Sequence, residues 1–293
     1  MKSRRITLGS FQVLGLRDGY FSLDGGAMFG VVPKVIWEKL IPADESNRIQ
    51  LGLNSILINT GNKIVLVDTG IGDNLPSKYA KFYSPQRESG LFGELKKHGT
   101  APEDIDFVIN THLHFDHCGG NTYKDSHGDF HPAFPNAEYV IQKKEWENAN
   151  NPQGRDKPSY IDTLFLSLQR ENQLRPAEGE EEIVPGIKVI PAPGHTTGHQ
   201  IVRVESKGQV LYFLGDLIPT AFHVHLPYIM SYDLYPVETF ESKERFLQRA
   251  SEFGWTVAFN HDPRHFFGRI SQKDGNYIFK PLSQHSETGE QLE

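Results

Sequence analysis

The chain has 293 residues, 38% hydrophobic and 23% charged, with a formal net charge of -7. This composition fits a globular protein with a sizeable core, and the acidic balance disfavours a surface built to bind nucleic acid. No apolar run of the roughly 18 residues that a membrane span requires is present. The lone cysteine, Cys118, cannot form an internal disulfide, and no apolar segment follows Met1-Lys2-Ser3-Arg4-Arg5 as a signal peptide would demand. A soluble cytoplasmic protein is expected.

In chain order, Phe11 to Phe21 reads as a strand. Residues 53–59 and 63–68 read as two strands joined at Thr60-Gly61-Asn62, a hairpin pattern. Leu91 to His98 reads as a short helix stopped by Gly99. Asp106 to Asn110 is a buried-strand candidate that runs straight into Thr111-His112-Leu113-His114-Phe115-Asp116-His117. Beyond it, Ala137 to Gln142 reads as a strand, Lys143 to Asn148 as a helix and Ile161 to Arg170 as another helix. Strands are expected at 187–191, 199–204 and 209–214, a helix from Val237 to Phe253, a strand at 255–260 and a last strand at Tyr277-Ile278-Phe279. The stretches 73–90, 121–136 and 150–160 read as loops. Two groups of strands, each with helices, predict an α/β domain of two packed sheets with helices outside. The chain is expected to be one domain over 1–293, with an N-terminal extension over about 1–50 and a frayed tail at about 283–293.

Of 13 histidines, five (His112, His114, His117, His195 and His261) lie just past apolar, β-branched runs. His112 and His114 are two apart and point to one side of an extended segment, and Asp116 and His117 follow at once. Imidazole and carboxylate are the usual ligands of zinc and similar ions, and this many donors suits two adjacent ions better than one. Further on, Pro193-Gly194-His195, Gly215-Asp216 and Asn260-His261 each follow a strand, where α/β folds place their sites. A histidine-rich surface loop does not account for four donors in six residues directly after a strand.

The ordered set His-x-His-x-Asp-His, Gly-His, Gly-Asp and His, from 112 to 261, resembles the metallo-β-lactamase fold superfamily, and Val67-Asp68-Thr69-Gly70 extends the likeness upstream. The resemblance implies a four-layer αββα sandwich. It implies that His112, His114 and His195 bind one metal, Asp116, His117 and His261 the other, and that Asp216 bridges both. The ions would be zinc first, with Mn, Fe or Co accepted by the same ligands. Asp68 is expected behind the ligands, hydrogen-bonded to one of the histidines. Cys118, beside Gly119-Gly120, reads as a small packed residue, and His199 and His265 as neighbours of the ligands rather than ligands.

The expected chemistry is attack by a hydroxide bridging the two metals on an electrophilic carbonyl or phosphoryl centre, with Asp116 orienting it and passing a proton to the leaving group. The aromatic segment from Ile218 to Tyr235 is expected to wall a substrate pocket, with Phe222, His223 and Tyr228 as its candidates. Ala27 to Pro33 and Trp37 are candidates for a facing wall or a homodimer contact. Size and the Gly-Asp-Leu-Ile segment make the chain similar to the lactonase and organophosphate-hydrolase branch, acting on a lactone, aryl ester or phosphotriester. Pro219 stands where the best-known acyl-homoserine lactonases carry a carbonyl-polarising tyrosine, a place that Tyr228 or His223 would have to fill. The alternatives are a glyoxalase II-like thioesterase and a mono-iron persulfide dioxygenase-type oxidoreductase. The partner expected is a small molecule, with neither nucleic acid nor membrane.

Overall fold

The computed structural model describes residues 4–152 and 154–282. The first sheet begins with β1 (Arg5–Leu8), β2 (Phe11–Asp24), β3 (Arg48–Asn59), β4 (Ile64–Val67) and β5 (Phe107–Ile109). A separate ribbon follows, β6 (Thr122–Lys124) with β7 (Phe130–Pro132), before β8 (Glu138–Gln142) and β9 (Leu174–Ala177) complete the sheet. Its first four strands are antiparallel and the rest, from β4 onward, run parallel. The second sheet takes β10 (Glu181–Val184), β11 (Ile187–Pro191), β12 (Gln200–Ser206), β13 (Gln209–Phe213), β14 (Thr256–Ala258), β15 (Phe267–Lys273) and β16 (Asn276–Pro281) in sequence order. It is antiparallel except for the β13–β14 pair.

Side-chain alternation makes the layers. Ile56, Ile58, Val65, Val67, Ile109 and Val140 point from the first sheet into one apolar cluster with Val202, Val204, Leu211, Phe213 and Ala258 of the second. Their neighbours Leu57, Leu66, Val108 and Tyr139 face the opposite way, into a cluster with Leu91, Leu95 and Phe165. Ile201, Tyr212 and Val257 face outward from the second sheet against Phe246, Leu247 and Ala250. The helices on the first sheet's side are α1 (Gly25–Phe29), α2 (Lys34–Trp37), α3 (Ser77–Tyr83), α4 (Gly90–Lys97), α5 (Phe115–Cys118), α6 (Lys143–Asn150) and α7 (Leu166–Arg170), and α8 (Pro236–Phe253) covers the second. The result is the αββα arrangement. No helix among the described residues is long and apolar enough to cross a membrane.

Several expectations need correction. Residues 5–24 form part of the first sheet: β2 pairs with β3 from Gln12↔Asn59 to Asp24↔Arg48, the longest pairing among the described residues. The helix expected over Ile161–Arg170 is broken into a 3₁₀ turn, Asp162–Leu164, and α7, because Thr163 O accepts from Thr122 Oγ1 (3.0 Å) and Phe165 turns in to pack on Trp146. Of the stretches read as loops, 73–90 holds α3 and 121–136 holds the β6–β7 ribbon. The tail expected at about 283–293 lies outside the described residues.

Candidate metal centre

Every candidate ligand follows the carboxyl end of a strand on one rim of the sandwich. β5 leads into His112–His117, β11 into His195, β13 into Asp216 and β14 into His261. The sheets meet there directly: Gln200 N–H donates to Thr111 O (2.9 Å), and its side-chain amide to Asn110 O (2.7 Å). Two glycines make the local geometry possible. Gly215 has φ +50°, and a Cβ on it would lie 2.7 Å from His199 Nε2. Gly119 runs so close to the Ile71 carbonyl that any side chain would strike it.

The structure brings all seven candidates together. Donor atoms of His112, His114 and His195 lie within 4.8 Å of one another, as do those of Asp116, His117 and His261, and those of His112, His117 and Asp216. His195 Nε2 is 3.1 Å from His114 Nδ1, and His261 Nε2 is 3.1 Å from His117 Nε2. Asp216 reaches both groups: Oδ2 lies 3.2 Å from His195 Nε2, and Oδ1 lies 3.2 Å from His261 Nε2 and 3.5 Å from His117 Nε2. Asp116 Oδ2 is 3.5 Å from His261 Nε2 and 3.9 Å from His117 Nε2.

The outer ring nitrogens explain why the inner ones converge. His117 Nδ1 donates to Asp68 Oδ2 (2.9 Å), His195 Nδ1 to Asp233 Oδ1 (2.8 Å) and His261 Nδ1 to Gly52 O (2.9 Å). His112 Nδ1 sits 3.1 Å from Thr111 Oγ1, which itself donates to Asp68 Oδ2. With those protons engaged outside, the inner nitrogens present lone pairs to one another and to carboxylates. That arrangement is repulsive unless a cation or a shared proton lies between them. His112 Nε2 and Asp216 Oδ1 are buried with no hydrogen-bond partner, so the donor set fits divalent ions. Burial pulls His117 down, but the Asp216 and Asp116 carboxylates override it and hold the ring well above its ordinary value. Burial and the neighbouring rings hold His112 well below it.

Several supporting residues carry no ligand pattern in the sequence. His199, buried and pulled down to about 3, donates through Nδ1 to Ala192 O (3.0 Å) and accepts the Asp216 backbone N–H on Nε2 (3.0 Å). Glu145, on α6, accepts from Leu113 N (3.0 Å), Thr196 Oγ1 (2.6 Å) and Tyr160 OH (3.0 Å), so one carboxylate ties two ligand loops together. Asp68, which accepts from His117 Nδ1 at 2.9 Å, has φ +56°. Cys118 is buried, its thiol pushed well up by burial, and it donates to Leu113 O (3.3 Å). His265 takes a bond from its own backbone N–H to Asp262 Oδ1 (2.6 Å) and its ring lies against Phe279.

The pocket candidates fare unevenly. His223 is corrected: it is buried, donates through Nε2 to Met28 O (2.8 Å) and bonds Thr220 Oγ1 through Nδ1 (2.8 Å), leaving nothing to offer a substrate. Trp37 is likewise core, stacked on Phe29. Tyr228 packs edge-on to Phe29, and Phe222 lies under the Arg264 guanidinium. Sequence reasoning missed an aromatic cluster from α3 and α5, where Tyr79 and Tyr83 pack around Phe115, the neighbour of Asp116. Burial and the Asp116 charge push the Tyr83 phenol up to about 12.

A family model described as the metallo-beta-lactamase superfamily matches residues 49–274. An N-acyl homoserine lactonase from Bacillus sp is 30% identical over 167 residues, which is 53% of this chain and 60% of the relative. A second, from Agrobacterium fabrum, is 28% identical and matches 60% of this chain and 65% of its own. The chain thus spans less than two thirds of the length of these curated relatives. Among solved structures, a probable metal-dependent hydrolase from Staphylococcus aureus has a TM-score of 0.86 and 35% identity, covering 94% of this chain and 99% of its own. AidC, a dizinc quorum-quenching lactonase, shares the fold with a TM-score of 0.80 and 23% identity, covering 95% and 97% of the two chains.

Proposed function

The chain belongs to the metallo-beta-lactamase superfamily, and from that premise we propose that it is a hydrolase holding two divalent ions, zinc first, and cleaving a lactone or a related ester-like bond. The observation that carries this reading is the Asp216 carboxylate, whose two oxygens lie 3.2 Å from ring nitrogens of different histidine groups. His112, His114 and His195 would hold one ion, Asp116, His117 and His261 the other, with Asp216 shared. Such ions, when bound, supply Lewis acidity that acidifies water and polarises a carbonyl or phosphoryl oxygen.

The chain's own groups do the rest. His199 Nε2 accepts the Asp216 backbone N–H and so fixes the backbone there, and neutral His199 has no proton to lose on that nitrogen. Asp116 presents a carboxylate beside His261 and His117. It would take the proton of the attacking water and return it to the departing alkoxide. Tyr79, Tyr83 and Phe115 offer an apolar wall for the part of the substrate that does not react. With His223 engaged elsewhere, the role that a tyrosine at position 219 would fill stays with other groups at the rim, and aryl esters and phosphotriesters remain substrates beside lactones. The lactonase relatives put lactones first. We read the two sheets as one domain acting in the cytoplasm. Val31 and Val35, exposed on and beside α2, support a homodimer through that face.

The test is metal quantification on purified protein joined to a hydrolysis panel of lactones, aryl esters, phosphotriesters, thioesters and β-lactams. Two ions per chain and turnover of a lactone are expected. Turnover confined to a thioester would move the reading to the glyoxalase II type, and a single iron would move it to the oxidoreductase. Two ions without turnover of any of these would remove the hydrolase claim.

A further inference from the structure

The four histidines with an anchored outer nitrogen are not anchored alike. His117 leans on Asp68 at the end of β4, His261 on the Gly52 carbonyl inside β3, and His112 on Thr111, which follows β5. All three supports belong to the first sheet or its immediate continuation. His195 leans on Asp233, which lies in the segment between the 3₁₀ turn Ala221–Val224 and α8, outside any helix or strand.

That segment is tied in two directions. Towards the centre, Leu234 N–H donates to His195 O (3.2 Å) and Tyr235 N–H to Gly194 O (2.9 Å). Towards the outer wall, Ser231 N–H donates to Ala27 O (2.8 Å), and Lys243 reaches the carbonyls of His225 (2.6 Å) and Tyr228 (2.8 Å). Asp233 is buried, and its Oδ1 accepts the His195 Nδ1 proton at 2.8 Å. Turning the His195 ring would break that bond and carry Nε2 away from His114 and Asp216.

We propose that Asp233 is a positioning residue for one metal site: it fixes the tautomer and orientation of His195, so the ion at His112, His114 and His195 is held through the irregular segment that precedes α8. Asp68 does the same for the ion at Asp116, His117 and His261, and through Thr111 it also backs His112. This rests on the two-ion reading. A hydrogen-bonded carboxylate behind a ligand histidine is commonly worth about 10–100-fold in metal affinity.

The experiment is chelator competition on fully loaded protein, with ions released counted per chain and the fold followed by circular dichroism. Wild type, Asp233→Ala, Asp233→Asn, Asp68→Ala and the Asp233→Ala/Asp68→Ala double variant are compared. Asp233→Ala should surrender one ion at a chelator concentration about 10–100-fold lower than wild type and keep the other. Asp233→Asn retains an acceptor oxygen and should fall between. The double variant should surrender both ions early. Asp233→Ala that holds both ions as wild type does, or loses both together, overturns the proposal, and so does a double variant that still holds one ion firmly. Wild type binding fewer than two ions overturns the two-ion reading first and the role of Asp233 with it.

Discussion

Gly215 stands one residue before Asp216 in the left-handed region, and its missing Cβ leaves room for the His199 ring and the Thr111 side chain, which a Cβ would meet at 2.7 and 2.9 Å. An alanine there adds about 1–2 kcal/mol of backbone strain and also pushes away the imidazole that holds the Asp216 N–H. Gly215→Ala should therefore melt lower and bind metal more weakly, both measurable by calorimetry with and without added zinc. Wild-type melting and metal content in this variant would show that the close approach is unimportant. Asp216→Ala removes the group shared by both clusters and should lose metal and activity together. A variant with full metal content and activity would sink the bridging role. Asp68 and the seven candidate ligands could be read from the sequence because each follows a strand of apolar, β-branched residues. Glu145 could not: Lys143-Lys144-Glu145-Trp146-Glu147 looks like a solvated helical face, and only the tertiary contact with Leu113 N and Thr196 shows why one of its acids is buried. Burial raises that carboxyl, and its three donors pull it back.

The elements that escaped sequence reading are those with the least alternation to detect. β9 is Leu-Arg-Pro-Ala at the sheet's edge, where a proline is tolerated, and α3 has no buried residue to mark a helical stripe. The segment 218–235 has no period at all because scattered backbone and side-chain bonds, not a ladder, hold it. Lys243 of α8 is its main clamp, donating to the carbonyls of His225, Leu226 and Tyr228. Burial lowers the Lys243 ammonium to about 7 from an ordinary value of 10.5. Since the folded value lies below the unfolded one, the unfolded chain binds the extra proton between them, and stability rises with pH across that window. Lys243→Met loses this pH dependence and leaves carbonyls without their donor, a defect of about 1–3 kcal/mol for each one left dry. The gap in denaturation free energy between wild type and Lys243→Met should thus widen as pH rises from about 7 to 10. A stability gap that is constant with pH would mean that Lys243 titrates as it does in water.

At the scale of the molecule, the two ends of the sandwich are closed by different chemistry. Away from the rim, Ser10 N–H donates to Ser206 Oγ (2.9 Å) where β2 begins and β12 ends, and the apolar cluster between the sheets continues from there. At the rim, the first sheet contributes His112, His114, Asp116 and His117 and the second contributes His195, Asp216 and His261, so ions shared among them would join the sheets as a staple. Without ions, the rim brings buried lone pairs and carboxylates together, and little but shared protons opposes their repulsion. Ligands that bind only the folded state stabilise it by mass action, about 2.7 kcal/mol at a hundredfold excess over Kd. Chelation should therefore lower the melting temperature, and the loss of order should be local. Amide exchange should accelerate in Thr111–Cys118 and Leu214–Leu217, while the β12 end at Val204–Ser206 and the start of β2 keep their protection, because their bonds do not depend on the rim. Mass spectrometry of deuterium uptake with and without chelator reads both regions in one experiment. Uptake that rises equally at the two ends would mean that the ions support the whole sandwich as one cooperative unit, and uptake that changes at neither would mean that the rim is held by its hydrogen bonds alone.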